Sequence, residues 1–226
     1  MEAKNIEAKK EKINKRDWIE IDYTCRIIDT NEIFDTTLKE VAEKAGIANE
    51  KKEFKPLTIC VGENFVPAGL DEYLIGKEVG FQGKIALKPE KAFGFKNPKF
   101  VTLISRNKFL EQGIEPVAGL NVVVDGLMGR ILTVTGGRVL VDFNHPLAGK
   151  DVEYEFKINR KVEDKKDQLA ALFKFYNIEK EFEFIENANK AKIKLQKEEA
   201  FPKEFETLLI SKAKDLIGID LEFITS

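Results

Sequence analysis

Two runs in this chain alternate apolar and polar residues with a period of two: WIEIDYTCRIID at 18–29 and KDVEYEFKINRKV at 150–162. Side chains along an extended strand point to opposite faces in turn, so each run reads as a strand with one face in a core and the other toward water. Any fold for the chain has to bury one face of each.

The segments between them read as shorter elements. PLTICVG (56–62) is a strand closed by glycine, and EVGFQGKIALKPE (78–90) is a strand running into a proline-marked turn. TTLKEVAEKAGI (36–47) and AGLDEYLIG (68–76) are short amphipathic helices, the second ended by Gly76. From about 97 to 145 the texture becomes β-rich: LNVVVDG, RILTVT and RVLVDF, with Gly136-Gly137 as a two-residue hairpin signal between the last two. This stretch is dense in apolar side chains, among them Phe100, Leu103, Phe109, Val122, Leu127 and Met128.

After Val162 the composition shifts again. EDKKDQLAALFKFY (163–176) and FPKEFETLLISKAKDLIG (201–218) read as helices, with Pro202 near a first turn where proline is tolerated. EFEFIEN and AKIKLQK read as a hairpin around Ala188-Asn189, and IDLEFITS as a closing strand. The result is a small α+β tail. Residues 1–16 are charged and read as a lead, frayed or disordered, ahead of the folded part.

Composition narrows the function classes. The net charge is −2, from 37 basic and 39 acidic side chains that are interspersed rather than blocked, so strong phosphate binding and hence nucleic acid are not expected. No apolar run approaches membrane-spanning length and the start has no apolar leader, so a soluble cytoplasmic protein is expected and no membrane partner. Cys25 and Cys60 lie in strand-like patterns and read as buried thiols of a reducing compartment. With one histidine and two separated cysteines there is no usual zinc set, and neither a metal nor another cofactor is expected. The single histidine, His145, sits in VDFNHPLAGK (141–150), which reads as a turn braced by hydrogen bonds from that ring rather than as a reactive centre.

No nucleophile elbow, phosphate loop or dinucleotide fingerprint occurs. The informative residues form a spaced set instead: Tyr23, IFDTT (33–37), VGENFVPAGLDEYLIGKEVGF (61–81), KAFGF (91–95) and Tyr154. On these residues the chain resembles the FKBP-type peptidyl-prolyl isomerases, and VLVDFNHPLAGK resembles their SlyD-like branch, whose members carry a second domain inserted in the flap. With its tail the chain looks like the long archaeal type. The resemblance covers 17–162, about two-thirds of the chain.

It implies an α+β fold: an antiparallel sheet wrapped on a short helix at 17–96 plus 146–162, a small β-rich domain inserted in the flap at 97–145, and an α+β extension at 163–226. It implies peptidyl-prolyl cis-trans isomerase (rotamase) activity on X-Pro bonds of unfolded or nascent chains, with chaperone activity in the insert. Tyr23, Phe34, Asp35, Phe93 and Tyr154 would be catalytic, with the Tyr23 hydroxyl bonded to Asp35 and Phe34 on the proline ring. Leu57, Ile59, Val66, Pro67 and Leu70 would bind substrate. Three positions depart from the family pattern. Pro67 has no N–H where the family donates one, Phe93 lacks a tyrosine hydroxyl, and Leu70 replaces a tryptophan floor, so modest activity on short peptides is expected. A chaperone on an isomerase scaffold with little activity, and a small nucleic-acid-binding barrel at 119–143, are the alternatives. The tail leaves homodimerisation, further client surface and partner docking open.

Overall fold

The computed structural model of the chain describes residues 11–49, 53–178, 182–185, 189–195 and 201–225. In chain order, β1 (Trp18–Ile27), β2 (Ile33–Thr36), α1 (Lys39–Lys44), β3 (Leu57–Cys60), α2 (Ala68–Leu74) and β4 (Gln82–Leu87) come first. An insert follows, made of β5 (Val101–Ser105), α3 (Arg106–Leu110), β6 (Asn121–Val124), β7 (Leu127–Thr135) and β8 (Arg138–Asp142). Then come β9 (Val152–Lys161), α4 (Lys165–Phe175), β10 (Phe182–Ile185), β11 (Lys190–Leu195), α5 (Lys203–Ile217) and β12 (Asp220–Thr225).

The two alternating runs pair with each other. β1 and β9 lie antiparallel from Ile19↔Lys161 to Ile27↔Val152, across the whole insert. On its other edge β1 pairs with β2 through residues 24–26 and with β3 through residues 18–21, while β4 flanks β9. The inward faces of both strands (Ile19, Ile21, Cys25 and Ile27; Val152, Tyr154, Phe156 and Ile158) are buried under Leu70 and Leu74 of α2. Each large apolar side chain so covered contributes about 1.5–3 kcal/mol.

The charged lead is not wholly separate from this domain. Residues 1–10 lie outside the described residues, but Ile13 is fully buried in the first core. Its N–H donates to Lys77 O at 2.8 Å, its carbonyl accepts from Gly76 N at 2.7 Å, and Lys12 bridges to Glu78. One apolar residue in a run of lysines gives no periodicity, so the sequence hides this short extended contact.

Trp18 and Cys60 occupy the opposite face of the same sheet, yet both are buried. They join Val162 and the apolar faces of α4 and α5 in a second core. The Trp18 indole N–H donates to Leu216 O at 3.2 Å, and Arg16 makes a two-pronged contact with Asp215 at 3.0 and 3.3 Å. The end of β1 is thus covered on both faces, once by α2 and once by the C-terminal unit. That unit adds a three-stranded sheet in which β10 and β11 are antiparallel, as the hairpin reading expects, and β11 and β12 are parallel with α5 between them. Ala188, in the expected turn, lies outside the described residues.

The insert is a separate four-stranded sheet of order β5-β8-β7-β6. Gly136 and Gly137 link Thr135 to its partner Arg138 with φ of +57° and +79°, the positive values that a primed two-residue turn demands at both positions. Its core is small: Phe109 of α3 with Val122, Val124, Ile131, Val139 and Val141. Three elements carried too little pattern to be read in advance: β2, β5 and α3 have four or five residues each. Among the described residues no helix is long and apolar enough to cross a membrane.

Candidate active site

The FDTT stretch acts as a stitch. Asp35 lies opposite Cys25 in the β1–β2 register. Thr36 donates its hydroxyl to Tyr23 O at 2.9 Å, Thr37 N donates to the same carbonyl at 3.0 Å, and Tyr23 N donates to the Thr37 hydroxyl at 3.0 Å. Both backbone groups of Tyr23 are therefore fixed by the two threonines. The Tyr23 hydroxyl then donates to Asp35 Oδ2 at 2.5 Å, while Asp35 Oδ1 accepts from Thr36 N at 2.9 Å. Burial first, and the neighbouring carboxylate second, push the Tyr23 phenol far above its ordinary range, so it remains a hydrogen-bond donor at any physiological pH.

Tyr154 stands beside this pair. It faces Cys25 across the β1–β9 register and places its ring 5.7 Å from that of Tyr23. Burial drives the Tyr154 phenol up as well and pushes the Cys25 thiol to about 11, which makes it inert. Asp35, Cys25 and Tyr154 form one row across three strands.

The opposite wall comes from the flap. Phe93 stacks on His145 with ring centroids 4.5 Å apart and planes 2° from parallel, and Phe34 lies 6.3 Å from the same imidazole. The two crossings of the chain into and out of the insert are pinned there. Asn97 N donates to the Asn144 side-chain oxygen at 2.7 Å, and the Asn144 amide returns a bond to Asn97 O at 3.1 Å. Lys96 pairs with Asp142 at 2.8 Å; although burial raises the carboxyl, Lys96 and Asn144 outweigh it and hold Asp142 below its usual range. His145 itself accepts from Leu147 N through Nδ1 at 3.2 Å, and partial burial lowers its pKa. The ring braces its corner as expected, but it also belongs to the aromatic wall. The expected site omits it. Its stack on Phe93 joins residues on either side of the insert, and the sequence carries no signal for it.

The third side is the loop before α2. Asp71 is buried and its carboxylate accepts from Gly62 N at 2.8 Å and Asn64 N at 2.9 Å, which sets the turn at Gly62 (φ +84°). Val66 and Pro67 follow, Pro67 capping α2 and giving its carbonyl to Leu70 N and Asp71 N. Leu57 is half-buried against the first core. Ile59 and Leu70 are fully buried and Tyr154 nearly so, so all three lie behind the more open side chains of the site. Phe34, at 38% exposure, is the most open of the expected catalytic residues. Among the described residues no group of three or more His, Cys, Asp or Glu is placed to hold a metal ion.

Comparison with known proteins matches this architecture. Residues 9–115 match the FKBP-type peptidyl-prolyl cis-trans isomerase family, and residues 102–147 match the FKBP26 IF domain. The short-type peptidyl-prolyl cis-trans isomerase of Methanocaldococcus jannaschii is 31% identical over 146 residues, 65% of this chain and 92% of that protein. The FKBP-type 16 kDa peptidyl-prolyl cis-trans isomerase of Escherichia coli is 35% identical over 109 residues, 46% of this chain and 72% of its own. The SlyD isomerase of Helicobacter pylori is 30% identical over 116 residues, 49% of this chain and 60% of its own. With the aromatic site, the five-stranded sheet and the inserted sheet all in place, the chain belongs to the FKBP-type peptidyl-prolyl cis-trans isomerase family, in the SlyD-like branch that carries an insert-in-flap domain.

Proposed function

We propose that Tyr23, Phe34, Asp35, Phe93, His145 and Tyr154 form the surface on which an X-Pro bond is isomerised, and that the outer face of the inserted sheet holds the client chain beside it. The observation that carries this reading is the Tyr23–Asp35 hydrogen bond inside a wall of aromatic rings. Isomerisation breaks no covalent bond. Its barrier of about 20 kcal/mol is lost amide resonance. A twisted amide carries less charge separation than a planar one, so an apolar surface favours it, and any donor placed for the twisted form adds to the effect.

His145 supplies such a donor. Because Nδ1 accepts from Leu147 N, the ring proton sits on Nε2. That N–H, stacked against Phe93, stands in for the hydroxyl that Phe93 lacks. Pro67 still offers no N–H, which supports modest rates on short peptides.

On the insert, Leu103, Val123 and Met128 project from the face opposite its core and are 58%, 56% and 73% exposed. Apolar residues exposed on one sheet face, with an adaptable methionine among them, suit an unfolded chain of varied sequence. Holding it there raises the local concentration of its prolines at the site. The two free, buried cysteines suit a reducing compartment such as the cytoplasm.

The test is replacement of residues 98–142 by a short linker, which keeps Asn144 and His145. Tetrapeptide isomerisation should persist while catalysed refolding of a proline-limited protein collapses. Undiminished refolding would sink the holding role. A second reading, a chaperone whose isomerase activity has been lost, is favoured by Pro67 at the head of α2; it predicts no peptide activity in the intact protein.

A further inference from the structure

A groove of about 470 Å³ lies between the isomerase sheet and α4. Pro56, Leu57 and Phe65 line one side, and Ala170, Ala171 and Phe175 the other. Its floor is apolar, and Phe175 is 41% exposed although it stacks on Phe65 at 4.3 Å. Among the charges around the rim, Arg160 pairs with Glu20 at 3.0 Å and with Asp167 at 4.0 Å, Lys55 pairs with Glu53 outside the groove at 2.6 Å, and Lys174 also lines it. The groove therefore offers mainly apolar contact, with Lys174 as a further charge at its rim. Its volume falls in the range of about 300–1,000 Å³ in which protein pockets hold small ligands.

Two residues join the groove to the candidate site. Leu57 lines it and also packs on the first core, against which Tyr23 and Phe93 pack as well. Phe65 lines it and directly precedes Val66 and Pro67. Glu20, Thr58 and Arg160 of the groove lie on the Trp18 face of the sheet, so a polypeptide passing over Val66 and Pro67 would reach it around the edge of β3.

We propose that this groove is a subsite for the client polypeptide, taking an apolar or aromatic side chain that flanks the isomerised proline. The inference rests on the reading of the isomerase site given above. It assigns the C-terminal unit half of a binding site that a chain ending after β9 would lack.

Ala170 is the residue to change, because it is exposed on α4 and lines the groove while making no contribution to either core. The full chain, Ala170→Trp and Ala170→Glu would be compared on a tetrapeptide and on a nonapeptide with phenylalanine on both sides of the proline. Isomerisation and equilibrium binding would both be measured, with the oligomeric state of each protein followed by sedimentation. For the unaltered chain the nonapeptide should have about a fivefold lower KM than the tetrapeptide, as partial burial of one aromatic side chain allows. Both variants should lose that gain and keep tetrapeptide kcat/KM. Retention of the gain in both variants, or no gain in the unaltered chain, overturns the proposal. So does a change of oligomeric state in both variants, which would make a second copy the occupant. Tight nonapeptide binding without turnover, abolished by Ala170→Trp, would sink the isomerase reading and leave the subsite standing.

Discussion

In the isomerase domain the apolar surface is fastened from behind. Tyr23 is held by two threonines and a carboxylate, Tyr154 by the core and the Tyr23 ring, and Phe93 by a histidine that is itself bonded to the backbone. On the outer face of the insert, Leu103, Val123 and Met128 stand over a sheet with a core of six buried side chains. The first arrangement fixes a geometry and the second exposes area. A twisted amide is one shape and rewards a surface that cannot relax away from it. An unfolded client has no one shape and rewards a surface that adapts.

The comparison breaks most visibly at Asp35. Asp35→Ala takes the acceptor from the buried Tyr23 hydroxyl, a loss of about 2 kcal/mol. Tetrapeptide kcat/KM should therefore fall about 30-fold, with aggregation suppression unchanged. Equal loss of both activities would mean that the two surfaces are not separate devices. The converse change is Leu103→Glu with Met128→Glu. Charges on an exposed apolar face alter stability by no more than about 0.5 kcal/mol each, but they oppose apolar clients. Catalysed refolding of a proline-limited protein should drop about tenfold while the tetrapeptide rate holds. Unimpaired refolding would place the client elsewhere.

The two kinds of surface were also unequally legible in the sequence. Period-two alternation disclosed β1 and β9, and the family spacing pointed to Tyr23, Phe34, Asp35, Phe93 and Tyr154, because strand periodicity and turn glycines are local properties. The buried state of Ile59 and Leu70 was not legible, since a side chain beneath a wall and one in it share the same composition. The aromatic setting of His145 was not legible for a related reason. Its bond to Leu147 is local and was expected, but its stack on Phe93 joins residues on either side of the insert and leaves no trace in spacing. Trp18 did leave a trace: an indole on the polar side of an alternating strand signals a second cover, which the C-terminal unit provides.

His145 sharpens the comparison through pH. Its folded pKa lies below the ordinary 6.5 because burial disfavours the charged ring. The unfolded chain therefore takes up the proton first as pH falls, so the contribution of the neutral ring is constant above about pH 6.5 and declines below it. Protonation also turns Nδ1 from acceptor to donor and removes the partner of Leu147 N. Tetrapeptide kcat/KM should fall as pH drops below about 6.5 and level off once the folded pKa is passed. His145→Phe should lower the rate about fivefold, the scale of one net hydrogen bond, and flatten this profile. A profile unchanged in His145→Phe would remove the imidazole from the site.

The smallest effect should come from the C-terminal unit, which extends the fastening of the site to the loop before α2. Glu63 pairs with Lys212 of α5 at 2.9 Å and with Arg16 at 3.9 Å, and Phe65 sits between Trp18 and Phe175. Both residues lie within four positions of Val66 and Pro67. The bond to Glu63 raises the Lys212 pKa above its ordinary value even though burial opposes it. Its contribution is thus fully present at pH 7 and is lost only on passing into the alkaline range above about 10.5. Because the Lys212 side chain is 34% exposed, solvent limits the pair to about 0.5 kcal/mol. Lys212→Ala should raise tetrapeptide KM about twofold with kcat unchanged, and shift the fluorescence of Trp18, the only tryptophan in the chain. The double reversal Glu63→Lys with Lys212→Glu should restore KM if pairing across the two units is what holds the loop. If KM stays at the value of the unaltered protein in Lys212→Ala while stability falls, the C-terminal unit stabilises the fold without setting the site, and the rigid half of the comparison ends at the isomerase sheet.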